Sequence, residues 1–433
     1  MGGAQWVGEH WWYRIAHVCQ RWRNLILGSA SYLGLCLVCT YGTPVADMLA
    51  HSPLLPLVID YEYTDITEED EKVVLLALKQ RHRLRRIRFY LPVLKLQKFI
   101  TAIDGEYPIL EHLILEDPPE DKSTVLILPE TLQAPRLRHL VIACSIPIRS
   151  PLLATAANLV TLHLKLFHPS TYFEPTVLLQ WLSSMPQLKM LLIFFRFTVP
   201  NHDVERQFMR MPIRTPITLP NLRTFALSAD SAYSEAILSQ ITASRLEDFQ
   251  LCCVRQLTFS VPQLLQFMGR IETIRFNRAR FNFQSEKVYA AVNPAIDMPE
   301  DAFSIIVDCC HLDWQVSSVA QIFNPLGKIF SAVEHLTLVH EVHGRTSEEH
   351  NEVDRNEWRK LLTSFSNVKT VRVHHRLVKE LSRCLRLDDG ENPLEFLPEL
   401  QELTYSGSDD AFTSFIDARQ NAGRPVTLIK TCY

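Results

Sequence analysis

The chain has 433 residues, 47% of them hydrophobic and 21% charged, with a formal net charge of −4. That balance excludes a disordered chain, and the slightly acidic total gives no general reason to expect nucleic-acid binding. The length calls for about two to four domains, or for a repeat that stretches one domain out. Ten cysteines scattered from Cys19 to Cys432 do not space as a small disulfide framework, and no N-x-[ST] sequon occurs; both point to a cytoplasmic or nuclear home.

The first expected element is an amphipathic helix over 13–26. Ile15, Val18, Cys19, Trp22, Leu25 and Ile26 share one stripe of a 3.6-residue period, and Arg14, His17, Gln20, Arg21, Arg23 and Asn24 fill the opposite face. Asn24 to Ala46 carries no charge and is long enough to span a bilayer. Gly28, Ser29, Gly34, Thr40, Gly42 and Pro44 break it up, and its longest apolar run is Leu35 to Cys39, so no membrane segment is expected. Met1-Gly2 lacks the Ser or Thr that a myristoylation signal wants, having Trp6 there instead. Cys36-x-x-Cys39 is half of a zinc site without a second half, and reads as core cysteines.

Downstream, the pattern L-x-x-L-x-L recurs with Ile, Val, Phe or Tyr allowed. It appears at Leu84/Ile87/Phe89, Leu110/Leu113/Leu115, Leu137/Leu140/Ile142, Leu159/Leu162/Leu164, Leu188/Leu191/Ile193 and Leu222/Phe225/Leu227. It continues at Leu246/Phe249/Leu251, Ile271/Ile274/Phe276, Val333/Leu336/Leu338, Val368/Val371/Val373 and Leu400/Leu403/Tyr405, with "AFSIIVDCC" (Ala302 to Cys310) as a degenerate copy. A further strand is expected over 55–60. Each copy reads as a short strand whose hydrophobic positions point inward. Helical segments lie between the strands. "TEEDEKVVLLALKQ" opens with Thr67 and Asp70 at capping-box spacing, and "TVLLQWLSSM" and "RNEWRKLLTSF" carry apolar residues at helical intervals. Five strands are entered through Pro-x-Leu, at Pro108, Pro135, Pro186, Pro220 and Pro398. Strand-helix-strand units of this length make parallel strands that stack into an α/β solenoid. The segments Glu116 to Ser123, Thr198 to Pro216 and Glu341 to Trp358 read as surface insertions.

Alternation turns the residues between the motif hydrophobics outward. That face holds Arg86 and Arg88, His112, His139, His163, Met190 and Leu192, then Arg275, His335 and Arg372. Its four arginines and four histidines stand against two acids, Asp248 and Glu402, so a weakly cationic face with an apolar middle is expected. Such a face suits an acidic or phosphorylated protein segment. "HEVH" at 340–343 is not H-E-x-x-H, and no nucleophile elbow, Walker loop or dinucleotide fingerprint occurs. Neither an enzyme nor a metal or cofactor site is expected.

The repeat resembles the leucine-rich-repeat family in an irregular form. The family's Asn, three residues past the last strand leucine, is replaced by Pro92, Pro118, Ser145, Phe167, Arg196 and Asp230. "IAHVCQRWRNLILGSASYL" resembles the second half of an F-box through its V-C-x-x-W-R core at Val18, Cys19, Trp22 and Arg23. The following "GTPVADMLAHSPLLPLVIDY" resembles the segment after the F-box in F-box-like proteins of mushroom-forming fungi. The resemblance implies an α/β irregular leucine-rich-repeat solenoid with a short helical F-box-like cap, divided as 1–41 and 42–433. It further implies a substrate receptor of an SCF-type ubiquitin ligase, in which Ile15, Val18, Cys19, Trp22 and Arg23 hold a Skp-family adaptor and the repeats hold the protein to be ubiquitylated. The usual opening L-P-x-E-[IL]-L helix of an F-box has no counterpart in the residues before Val18. The alternatives are a leucine-rich scaffold with no ubiquitin role and a membrane-anchored repeat receptor.

Overall fold

The computed structural model describes residues 12, 15, 18–30, 32–51, 55–62, 66–118, 124–148, 151–197, 216–253, 259–271, 276–293, 302–341, 355–388, 391–407 and 411–431. Arg275 and most of the three expected insertions, 119–123, 198–215 and 342–354, lie outside the described residues. The chain forms two compact units, Met1–Ile193 and Phe194–Tyr433.

In the first unit the described strands run parallel and in chain order. They are β1 (Leu37–Cys39), β2 (Leu57–Glu62), β3 (Leu84–Tyr90), β4 (His112–Glu116), β5 (His139–Ala143), β6 (Thr161–Leu166) and β7 (Met190–Phe195), the unit closing within β7. The motif copies align with one another: Ile87 pairs with Leu113, Leu113 with Leu140 and Leu140 with Leu162, and one rung along, Phe89 with Leu115, Leu115 with Ile142 and Ile142 with Leu164. All eight side chains are fully buried. Each repeat thus adds the same two apolar rungs to one continuous core, which a single repeat could not bury.

Between strands the chain returns through helices such as Glu68–Leu78, Val93–Ala102 and Pro175–Ser183. The first starts as its sequence demands. Thr67 Oγ1 accepts the Asp70 amide at 3.1 Å, and the Asp70 carboxylate accepts the Thr67 amide at 3.3 Å, closing a capping box. The positions where the repeat family carries Asn do other work: Pro92 is the N-cap of Val93–Ala102, and Asp230 caps Ser231–Leu238 through the Tyr233 amide at 2.8 Å. Pro-x-Leu makes a tight turn at all five places. Leu110, Leu137, Leu188, Leu222 and Leu400 each donate their amide to the carbonyl three residues back, at 3.0–3.3 Å. The proline therefore holds the second position of a β-turn, where its fixed φ fits.

The second unit departs from a purely parallel stack. Its sheet runs β9 (Thr224–Ala229), β11 (Asp248–Cys253), β14 (Phe303–Asp308), β13 (Lys287–Asn293), β12 (Arg278–Gln284), β15 (His335–Glu341), β16 (Thr370–Val373), β17 (Glu402–Tyr405), β18 (Thr427–Lys430); β8 (Ile217–Thr218) pairs separately with β10 (Ile241–Thr242). β13 is antiparallel to both β12 and β14, while β14 is parallel to β11 and β12 is parallel to β15.

The expected strand at 271–276 lies mostly outside the described residues. Ile271 and Phe276 lie outside any strand, 272–275 are not described, and the strand starts at Arg278. The hairpin escaped the leucine pattern because Ala279 takes the middle place of the buried triplet Phe276/Ala279/Phe281, where β15 has Leu336, and because β13 buries Val288, Ala290 and Val292 with Ser285 three before the first of them. The degenerate copy "AFSIIVDCC" carries β14. Phenylalanine replaces leucine across this core: the rings of Phe249, Phe276, Phe323 and Phe330 surround Phe303 at centroid distances of 5.7, 5.9, 6.5 and 5.6 Å.

Candidate functional site

The expected amphipathic helix is interrupted. The described helix spans Gln20–Gly28, and Cys19 before it is extended at φ −160°, ψ 166°, with Val18 in a turn whose amide bonds the Ile15 carbonyl at 3.2 Å. The single stripe over 13–26 therefore splits, because the residues before and after Cys19 no longer share one helical register. Ile26 is buried and Ile15 half-buried. Val18 is 67%, Trp22 51% and Leu25 57% exposed, with Tyr32 and Leu33 exposed close behind in sequence. Trp22 and Leu25 stand one turn apart on the helix. Cys19 and Arg23 are exposed as well, the Arg23 amide bonding the Cys19 carbonyl at 3.0 Å. Leu37, Val38 and Cys39, in the uncharged stretch that follows, form buried β1 beside β2.

Alternation holds on the first unit's sheet. Arg86, His112, His139 and Thr161 pair rung to rung, as do Asp60, Arg88, Ile114, Val141 and His163. Neighbouring members sit about 4.8 Å apart across the strands. Met190 and Leu192 are half-buried on β7. The charge on this face differs from the simple count. Arg88 reaches both carboxylate oxygens of Glu62, at 3.1 and 3.2 Å, with Asp60 at 3.8 Å, so its cation is matched by acids that β2 contributes. Glu116 joins them from β4, paired with Tyr90.

The histidines are neutral near pH 7. The rings of His112 and His139 stack at 4.4 Å and 5°, and His139 Nδ1 lies 3.1 Å from Thr161 Oγ1. Burial, then the Arg86 guanidinium and His139, pushes His112 down to about 3. Burial likewise lowers His139 and His163. What remains is an aromatic and apolar strip with Arg86 at one end.

In the second unit His335 Nδ1 lies 2.7 Å from Thr370 Oγ1, and Arg372 is exposed on β16. Arg280 is exposed two strands away, across Thr337, on the same rung. Arg278 and Arg280 belong to the hairpin that the leucine pattern does not reveal. The alternating R-A-R-F-N-F run is the signal that exposes them.

All cysteines among the described residues are free thiols, and burial pushes Cys39 up to about 12, so it sits in the core as an inert thiol. Among the described residues no cluster of His, Cys, Asp and Glu is placed to hold a metal, and no helix is long and apolar enough to cross a membrane.

No family model and no curated protein matches the chain. Similar solved structures include the leucine-rich repeat-containing protein LegL7 from Legionella pneumophila, at 12% sequence identity and a TM-score of 0.27, covering 90% of this chain and 98% of that one. The repeat is established by the register of its own strands, and stacked repeats of this kind present an extended strand face.

Proposed function

We propose that the chain is a substrate-recognition subunit of an SCF-type ubiquitin ligase. Residues 15–25 dock a Skp-family adaptor, and the strand faces hold the protein to be ubiquitylated. The observation that supports this reading is the exposure of Val18, Trp22 and Leu25 together, three large apolar side chains left in water beside a buried Ile26. Exposed apolar groups grouped in this way mark an interaction site. On the first unit's sheet the partner segment combines apolar with acidic or phosphorylated residues: Met190, Leu192 and the stacked histidines meet the first kind, and Arg86 meets the second.

Co-precipitation of the full chain with a Skp-family adaptor tests the docking step. Trp22→Ala is expected to reduce capture at least about tenfold, as truncating an aromatic anchor does. Adaptor recovery no greater than that of a control without the chain would remove the ubiquitin role, and equal recovery above that control with both proteins would move docking off Trp22. The break at Cys19 favours that second reading, a leucine-rich scaffold that binds its partner without an adaptor.

A further inference from the structure

A groove of about 390 Å³ runs across the turns by which the chain enters β4 to β7, in the first unit. A backbone ladder stacks these turns. The amides of Glu111, Arg138, Val160 and Lys189 bond the carbonyls of Arg85, Glu111, Arg138 and Val160 in order, at 2.7–2.9 Å. Each strand entry therefore sets one residue in a common row. A second row, Arg136, Asn158 and Gln187, stands two positions earlier, separated from the first by the fully buried Leu137, Leu159 and Leu188. The groove lies between Glu111, Arg138 and Val160 of the first row and the three residues of the second. Glu111 is the one acid in this lining, and its carboxylate accepts Arg85 Nε and Nη2, each at 3.0 Å. Arg136 and Arg138 are exposed and, like Lys189 at the β7 entry, form no ion pair among the described residues.

We propose that this groove docks an extended acidic segment of a partner protein, with its Asp or Glu side chains on Arg136 and Arg138. Charge chooses the occupant. Two cations line the groove without acids of their own, and each Arg supplies a planar fork that matches a carboxylate. Length sets its form. Four strand entries about 4.8 Å apart span roughly 14 Å, the reach of about four extended residues. Asn158, fixed by its bond to the Pro135 carbonyl at 3.3 Å, and Gln187 offer side-chain amides to the segment's backbone. A nucleic-acid strand fits less well, because no aromatic side chain lines the groove to stack a base and the chain carries a net charge of −4. The groove shares no residue with the adaptor-docking stretch at 15–25, so the proposal stands independently of the ubiquitin reading.

The test is a fluorescence-anisotropy titration of the full chain with a fluorescein-labelled Gly-Glu-Asp-Glu-Asp-Gly peptide, run beside the uncharged Gly-Gln-Asn-Gln-Asn-Gly. Saturable binding of the acidic peptide is expected, weakened at least about tenfold by Arg136→Gln with Arg138→Gln, while the amide peptide binds neither protein. Both positions are exposed, so an unchanged melting temperature is expected to accompany the loss. Lys189→Glu is expected to weaken binding by itself, and Arg372→Gln, at an exposed arginine of the second unit, to leave it unchanged. No binding to the unaltered chain, or equal binding to the paired arginine variant, overturns the proposal. So does as large a loss with Arg372→Gln, which would reduce the effect to net charge. Displacement by single-stranded oligouridine where unlabelled acidic peptide fails to displace also overturns it, since that outcome assigns the groove to nucleic acid.

Discussion

At the scale of single residues, the titratable groups behave as their neighbours dictate. Glu235 is buried at 3% exposure and accepts the backbone amides of Gln263 and Leu264 at 2.7 and 2.9 Å, tying the helix Ser231–Leu238 to the start of Pro262–Met268. Burial pushes its carboxyl up from 4.5 to about 7, outweighing the two amides that favour the charged form. A raised carboxyl favours the protonated fold, so its stabilising contribution is complete below pH 4.5 and is lost as pH rises to about 7. The expected loss is about 3 kcal/mol over that window. Glu235→Gln, which stays neutral, should flatten this part of the profile when thermal unfolding is followed between pH 4.5 and 8. An equal decline in both proteins would show that Glu235 does not set it. Arg88 and the histidines on the sheet face teach the same lesson. The residue types are plain in the sequence, but the pairing with Glu62 and the neutral state of His112 depend on which strands lie alongside.

At the scale of elements, the regular parts were readable because one residue type performs one task in every repeat. Two alternating hydrophobics within the strand and a leucine three residues before the first of them suffice to place β3 to β7, and Thr67 with Asp70 suffices to start Glu68–Leu78. Thr67→Ala removes one side of that capping box at an exposed position. It is expected to cost about 1 kcal/mol in denaturant unfolding, with Thr67→Ser restoring most of it. The elements that escaped are those that bury something else. β1 has three residues, the hairpin buries Ala, Val and Phe, and all four residues of β18 are exposed, so none carries the triplet. The N-terminal helix was placed correctly from Gln20 onward, but periodicity cannot register a break at Cys19 whose cause is local backbone geometry.

At the scale of the molecule, each unit is held by a core that passes from one repeat to the next. In the second unit Phe303 sits where β14 joins β11 and touches rings from both sides of the inserted hairpin, Phe249 before it and Phe330 after it. Phe303→Ala is expected to cost about 3–5 kcal/mol, measured by chemical unfolding, because the surrounding rings can only partly collapse into the space. Phe303→Leu should recover most of that loss. A small effect from Phe303→Ala would mean that the hairpin is held by its backbone pairing rather than by the aromatic core.

The sequence by itself determined the repeat. Hydrophobic triplets at similar intervals require parallel strands that stack their inward rungs, since no repeat buries its apolar face alone. Only the tertiary structure decided that β12, β13 and β14 enter the sheet in reverse order, that β2 neutralises Arg88 with its own acids, and that Arg136, Arg138 and Gln187 border one groove. These depend on contacts between residues roughly 25 to 60 positions apart. Periodicity reports which way a side chain points, but not which neighbour it meets.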